Sequence, residues 1–489
     1  MSMTLASLMH SIAELPDGAG DITVAGLSSD SRLIRQGEVF AALAGVEADG
    51  ARYVQSAIDN GAVAIVADRD ASLPDGLAVP VVRCDNPRLV FALMAARFYA
   101  RQPVVMVAVT GTNGKTSVAS FVRQIWTVLG LSAASIGTVG IVSPGGTRKL
   151  VHTTPDPVEI HAVLAELAVQ QVSHVALEAS SHGLAQYRLH GARFAAAGFT
   201  NLTRDHLDYH KTFEAYLDAK MMLFEEVLSE GAAAIINSDM PEAEDIMARC
   251  HARGLVVSSV GRNGTGLKLV SATQQGFGQS LEIKGQEGEY SVYLPLVGDF
   301  QAENALMAVA LVVAAGGSEP HAVRALEQLQ GASGRLELVA TTHAGAPVFV
   351  DFAHTPDALE HVLKSLRPYA SGRLQVVFGA GGDRDPGKRP EMGKIVCEHA
   401  DIAIVTDDNP RTEEPALIRA AIMAACPDAI EIGDRAQAIQ YAVDNLASGD
   451  VLVVAGKGHE TGQTVGKKVI PFSDQEAVLA CVSGRVANG

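Results

Sequence analysis

The stretch Gly111-Thr112-Asn113-Gly114-Lys115-Thr116-Ser117 sets two glycines, a lysine and hydroxyl side chains directly after an apolar run, Val104 to Val109. Glycines at such a corner let backbone N–H groups close on an anion, and a helix starting there points its positive end at it. Lys115 is spaced to reach the outer phosphates of a nucleotide, and the Thr116 hydroxyl to ligate Mg2+. The common phosphate-loop pattern, G-x-x-x-x-G-K-S/T, has a glycine where this chain has Val109, so a variant loop is expected. The competing reading is a plain strand–turn–helix corner with a surface lysine. The order strand, G-K-T, helix weighs against it.

Other polar groups also follow apolar runs. Glu178 closes the run Val172 to Leu177, where an unpaired buried carboxylate would be costly. It calls for a cation, Mg2+ at the phosphate loop being the natural one, or else for a helix N-terminus to cap. His206 and His210 follow Ala195 to Thr200 at a spacing of four, which suits either a metal or phosphate loop or a solvated helix entry. Lys220, in YLDAKMMLF, is expected to snorkel to solvent from an apolar helix. Nearer the C-terminus come GGDRD with Arg384, then Asp408-Asn409-Pro410-Arg411, then Gly456-Lys457-Gly458-His459-Glu460. Arginine grips carboxylate bidentately and glutamate accepts from ammonium, so this set suits an amino acid carrying an extra carboxylate. The tetrapeptide alone says little, because Asp85-Asn86-Pro87-Arg88 repeats it where it reads as a capped helix start.

These groups need a scaffold that sets several strand ends side by side. Apolar runs at Ala62 to Val66, Val81 to Cys84, Val104 to Val109, Val172 to Leu177, Ala195 to Thr200 and Ala233 to Ile236 alternate with helical stretches. That alternation implies a mostly parallel sheet covered on both faces. After the flexible Gly331-Ala332-Ser333-Gly334 a new series starts: Val348 to Val350, Leu374 to Phe378, Ile402 to Val405 and Val451 to Val454. Each runs into a polar or glycine-rich loop, and in open α/β sheets ligands bind beyond the carboxyl ends of the strands. Four such loops imply one shared site. The 489 residues correspond to roughly three domains at ~150 residues each. A net charge of −17 argues against a sequence-independent nucleic-acid binder. The five cysteines are scattered with no C-x-x-C, as for reduced thiols, and no signal peptide is read in the first residues. The longest apolar run, Ala305 to Gly317, is short of the about 20 residues of a membrane span and reads as a buried helix.

Taken together, GTNGKT, HTTPD (152–156), EASSHGL, TNLTRDHLDYH, GDFQAEN (298–304), SGRLE (333–337), DFAHTPDAL, GGDRDPGKRP, DDNPRTEEP and GKGHE occur in the order typical of the Mur ligase family, which this chain resembles over nearly its whole length. The resemblance implies a three-domain α/β architecture. An N-terminal UDP-binding domain (1–98) would precede a central P-loop-type ATPase sheet (99–331) and a C-terminal Rossmann-like amino-acid-binding domain (332–489). It implies a cytoplasmic, monomeric, ATP- and Mg2+-dependent ligase that adds the third residue to the peptide stem of a peptidoglycan precursor. The D-Glu carboxylate of UDP-MurNAc-L-Ala-D-Glu would be phosphorylated and then attacked by an amine. By the resemblance, Gly111, Thr112, Asn113, Gly114, Lys115, Thr116, Ser117, Asn304, Arg335 and His354 would contact ATP. Thr116, Glu178 and His206 would ligate Mg2+, with Lys220 as a carbamate supporting a second ion. Thr153, Thr154, Ser180, Gln186 and Arg188 would hold the sugar-dipeptide, and Ser31 with Val46, Glu47 and Ala48 the uridine end. His152 stands where the family often has Asn. Arg384, Asp408, Asn409, Pro410, Arg411, Gly456 and Glu460 resemble a site for meso-diaminopimelate. A lysine substrate would leave the Arg411 guanidinium unpaired. The next Mur enzyme and folylpolyglutamate synthase are rival enzymes on the same phosphate loop, and a sensor with an inactive ATPase is the non-enzyme rival.

Overall fold

The computed structural model describes residues 2–45, 49–203 and 205–484 and divides into two compact units. The first holds the chain up to Leu269 with Lys284–Gly288 and Leu306–Val323. The second holds Val270–Ile283, Glu289–Ala305 and the chain from Arg324.

In the first unit, four parallel strands, Gly26–Ser28, Glu38–Ala42, Ala64–Asp68 and Val81–Cys84, pair in sequence order. The helix Pro87–Tyr99 covers them, setting Val90, Phe91, Met94 and Phe98 among Val39, Val66 and Val82. Its start is the one the spacing predicts: Pro87 opens the first turn and the Asn86 side chain accepts from Leu89 N at 3.0 Å.

A larger sheet in the same unit orders parallel strands Ala133–Gly137, His174–Glu178, Val105–Thr110, Ala196–Phe199, Ala233–Asn237 and Val256–Gly261 side by side. An antiparallel hairpin, Gly140–Ser143 with Gly146–Arg148, extends its Ala133–Gly137 edge. The strands read as unbroken apolar runs because helices bury both faces. The phosphate-loop strand begins one residue later than the apolar run suggests. Val104 is 88% exposed, while Thr110 is drawn in by pairing with Phe199. This strand lies between His174–Glu178 and Ala196–Phe199, so the loops after all three leave at one edge.

The second unit carries a sheet in the order Glu337–Thr341, Pro347–Asp351, Val451–Ala455, Leu374–Phe378, Ile402–Val405, Ile430–Glu431. The first pair is antiparallel and the rest parallel. The strand-by-strand alternation splits the core. Phe349, Val376, Phe378, Val451 and Val453 face one layer, and Val348, Val350, Val377, Leu452 and Val454 the other. The last of the four loop-bearing strands in sequence inserts between the first two. Asp351, Ala455, Phe378 and Val405 therefore end along one edge.

The apolar run at 305–317 lies largely within the helix Asp299–Ala314, with Leu306 and Leu311 fully buried. Among the described residues no helix is long and apolar enough to cross a membrane. All five cysteines are free thiols.

Candidate active site

At the end of Val105–Thr110 the chain turns through Gly111 to Gly114 into the helix Lys115–Val128. Gly111 has φ +137°, and a Cβ on it would lie 2.0 Å from Thr200 Oγ1; Gly114, at φ +85°, is the left-handed N-cap. Both positions need glycine. The loop is braced from the next strand's exit. Thr112 N donates to Asn201 O at 2.8 Å, Asn113 N to Asn201 Oδ1 at 2.8 Å, and Thr200 Oγ1 to Asn113 O at 2.6 Å. Lys115 Nζ folds back onto Gly111 O and Thr112 O at 2.8 and 2.7 Å. Thr116 is half-buried at the first turn and Ser117 buried behind it.

Glu178 is 2% exposed and does not cap the following helix; Ser180 does that, accepting from Gly183 N at 3.1 Å. Its carboxylate instead takes Thr116 Oγ1 at 3.0 Å, Thr138 N at 2.8 Å and Thr138 Oγ1 at 3.1 Å. Gly137 makes the space, since a Cβ there would meet Glu178 Oε1 at 2.0 Å. A carboxylate and a hydroxyl at the mouth of a phosphate loop fit Mg2+, which takes one or two protein oxygens and shares the rest of its shell with phosphate and water. Among the described residues no three His, Cys, Asp or Glu side chains form a preformed cage.

His206 stands outside the helix Leu207–His210 at φ +54°, exposed, with its ring 4.9 Å from that of His182. Its backbone carbonyl accepts from His210 N, and although His206 lies outside the helix, the His210 ring also packs against His182, at 5.5 Å. Lys220 does not snorkel. It is 1% exposed, its Nζ donates to Gly111 O at 2.7 Å and sits 4.2 Å from the centre of the Tyr216 ring. Burial, with Lys115 nearby, holds its amine well below the usual lysine range.

The other side of Glu178 serves a second network. Its main-chain O accepts from Thr154 Oγ1 at 2.9 Å, and Thr154 Oγ1 in turn accepts from Ser180 N and Ser180 Oγ, each at 3.0 Å. Arg188 donates to Thr154 O and Gln186 Oε1, and Thr153 Oγ1 lies 3.1 Å from Thr138 Oγ1. Thr153, Thr154, Ser180, Gln186 and Arg188 are thus brought together. Ser31 is buried in the smaller sheet's first loop, its carbonyl bound by Asn60 Nδ2 at 2.8 Å. Val46, Glu47 and Ala48 lie outside the described residues.

In the second unit Asn304 is buried, with Nδ2 on Gln301 Oε1 at 3.2 Å. Arg335 lies over the Phe352 ring at 4.9 Å. The rings of His354 and His459 flank the same phenylalanine at 4.6 and 5.2 Å. Gly334 brings this loop onto GKGHE, because a Cβ on it would meet His459 N at 2.3 Å.

The four polar loops do share one sheet edge. Arg384 is exposed. Arg411 adopts φ +52° and is held by the hairpin Gly462–Val465/Lys468–Pro471, with Arg411 N on Thr464 O at 3.0 Å and Gly466 N on Arg411 O at 2.6 Å. Its Nη1 donates to Gly382 O at 2.7 Å. Pro410 O approaches Gly382 so closely that only glycine fits there. Glu413 braces the GGDRD loop, taking Asp383 N and the buried Arg389. Asn409 Nδ2 donates to Glu460 Oε2 at 2.9 Å. Asp408 is buried behind Gly456, where a Cβ would stand 2.7 Å from Asp408 Oδ2. Sequence reasoning gave no role to Thr138, Thr200, Asn201, Tyr216, Arg389 and Glu413, although all but Thr138 lie inside the motifs it singled out.

Three family models cover this arrangement in order: the Mur ligase family catalytic domain at 23–100, the Mur ligase middle domain at 109–312 and the Mur ligase glutamate ligase domain at 334–458. A curated relative from Bradyrhizobium diazoefficiens, a UDP-N-acetylmuramoyl-L-alanyl-D-glutamate–2,6-diaminopimelate ligase, is 52% identical over 99% of this chain and 100% of its own. The chain belongs to the Mur ligase family. A relative of the same name from Brucella melitensis is also 52% identical, over 99% of both chains. The solved structure of a ligase of that name superposes with a TM-score of 0.74 at 31% identity, covering 100% of each chain. The Mur ligase MurF of Thermotoga maritima, solved with ADP, and the folylpolyglutamate synthase of Mycobacterium tuberculosis share the fold, with TM-scores of 0.61 and 0.62 at 18% and 20% identity. The first covers 94% of this chain and 97% of its own, the second 76% and 91%. The three-domain α/β architecture expected from the sequence is that of the family.

Proposed function

We propose that this Mur ligase joins meso-2,6-diaminopimelate to the D-Glu carboxylate of UDP-MurNAc-L-Ala-D-Glu, converting ATP to ADP and phosphate. One observation carries the reading. Glu178 binds Thr116 of the phosphate loop through its carboxylate and Thr154 of the sugar-dipeptide set through its carbonyl. A single strand end thus serves both the nucleotide and the acid to be activated.

A substrate carboxylate oxygen forms a bond to the γ-phosphorus of ATP as the bond to ADP breaks. The amine nitrogen then bonds to the acyl carbon, phosphate departs with the electron pair, and the amine loses a proton. The protein's work is positioning and charge neutralisation. The N–H groups of Gly111 to Ser117 cradle phosphate, and Lys115 exchanges its backbone acceptors for phosphate oxygens. Thr116, Glu178 and His206 would hold Mg2+, which neutralises phosphate charge when bound. The depressed pKa of Lys220 keeps its amine neutral enough to add CO2, and the carbamate so formed would support a second ion. Asn304, Arg335 and His354 serve the nucleotide; Thr153, Thr154, Ser180, Gln186 and Arg188 the sugar-dipeptide; Ser31 and residues 46–48 the uridine end. Arg384, Asn409, Arg411 and Glu460, on a frame that includes Asp408, Pro410 and Gly456, take the diamino acid. We assign the domain limits 1–98, 99–331 and 332–489, and a cytoplasmic monomer.

A phosphate-release assay tests this. Turnover should require both UDP-MurNAc-L-Ala-D-Glu and meso-diaminopimelate. Equal turnover with lysine overturns the assigned specificity, and phosphate release without either acceptor overturns the ligase reading.

A further inference from the structure

The GKGHE loop holds a lysine that no role assigned above uses. Lys457 is fully buried on the sheet edge between the DFAH and GGDRD loops. Its Nζ donates to Glu460 Oε2 at 2.9 Å and to Asn409 Oδ1 at 3.1 Å. Asn409 Nδ2 donates to the same Oε2 at 2.9 Å, and Asn409 Oδ1 also accepts from Thr464 N at 2.9 Å. The three side chains close a triangle tied to the hairpin that holds Arg411. A side chain with no exposed surface cannot itself touch a substrate, and a buried ammonium is retained only where it is paired. Both its hydrogen-bond partners belong to the residues assigned to the amino acid.

We infer that Lys457 is a positioning residue for the incoming diamino acid, fixing Asn409 and one oxygen of Glu460 so that the other Glu460 oxygen is left to accept from the substrate ammonium. Oε2 already receives two donors, so it has little left to offer. Oε1 receives neither and lies on a side chain that is 34% exposed. Burial pushes the Glu460 pKa up, but Lys457 and Asn409 bring it below the usual value, so the group waits as a carboxylate. Lys457 also balances that charge before substrate arrives.

The inference rests on the amino-acid role proposed for this edge, and the test separates the two. Lys457→Met fills the same space without charge or donors. It should raise the KM for diaminopimelate at least 20-fold and leave the KM values for ATP and UDP-MurNAc-dipeptide within threefold of wild type. Glu460→Gln should raise the same KM. The double variant should then match Glu460→Gln within threefold, because Lys457 acts through Glu460. Lys457→Gln, which keeps a donor, should recover part of the loss, and it replaces the methionine variant if that does not accumulate folded. An effect of Glu460→Gln without one of Lys457→Met overturns the inference alone, as do multiplicative effects or equal rises in all three KM values. No effect of Glu460→Gln on diaminopimelate overturns the amino-acid role itself.

Discussion

Glu178→Gln separates a carboxylate that serves a cation from one that merely holds the fold. The side chain accepts three hydrogen bonds, from Thr116 Oγ1, Thr138 N and Thr138 Oγ1, at 2.8–3.1 Å in a buried site. Glutamine has the same shape. Its oxygen can keep Thr138 N, and its amide can donate to the two hydroxyls, which turn to accept. The fold then loses only the difference between charged and neutral bonds, about 1 kcal/mol each, offset by relief of a buried charge. The net change should be within about 2 kcal/mol. A cation at the Thr116 hydroxyl loses far more. Two unit charges about 4 Å apart interact by about 4 kcal/mol at an effective dielectric of 20, and Mg2+ carries twice the charge. Allowing for water taking the vacated position, about 3 kcal/mol should vanish, or roughly 100-fold in turnover. Phosphate release titrated with Mg2+ reads this directly, with thermal unfolding as the control. The expected result is a large rise in half-saturating Mg2+ with little change in Tm. A variant that keeps a third of wild-type turnover at unchanged Mg2+ dependence would refute the assignment of Glu178 to the ion.

Lys220→Ala should lower turnover about 100-fold, the size of a lost preorganised charge, and formate or acetate should restore part of it by occupying the space of the buried side chain. Unchanged turnover would contradict a carbamate at this position. Arg411→Ala should raise the KM for diaminopimelate about 30-fold or more while that for ATP moves little, since a truncated buried charge pair costs about 2–5 kcal/mol; equal rises would count against the clamp. His161 is buried against His190 O at 3.1 Å, and burial pushes its pKa from 6.5 down to about 4. The unfolded chain therefore binds its proton first, so stability is lost as pH falls from 6.5 toward 4. Between pH 7 and pH 5, wild type should lose about 2 kcal/mol more than His161→Gln in urea unfolding, and equal losses would show that His161 is not the cause.

Much of the scaffold was legible because it rests on local rules. Leu374–Phe378, Ile402–Val405 and Val81–Cys84 stand where the apolar runs begin and end. Asn86 and Pro87 open their helix as the tetrapeptide suggests, and the corner at Gly111 to Lys115 is a loop onto a helix N-terminus. Shorter or less apolar strands, such as Gly26–Ser28, Glu38–Ala42 and Val256–Gly261, were not legible, because their pairing depends on neighbours distant in sequence. The same holds for support of the site. Nothing local says that Glu413 braces Asp383, or that Thr138 binds Glu178 across 40 residues.

The sequence by itself determined which chemistry is present: a phosphate loop, carboxylates and hydroxyls at strand ends, and arginines with a glutamate in glycine-rich turns. Residue type and short spacing are enough for that, since they set what a backbone can do within one turn. Tertiary structure decided what those groups meet. Lys220 reads as a snorkelling surface lysine, yet packing seals it at 1% exposure against Gly111 O. Glu178 could have capped its own helix, yet the parallel neighbour brings Thr116 within 3.0 Å of it. Burial and cross-strand register are properties of the whole sheet, and no window of sequence contains them.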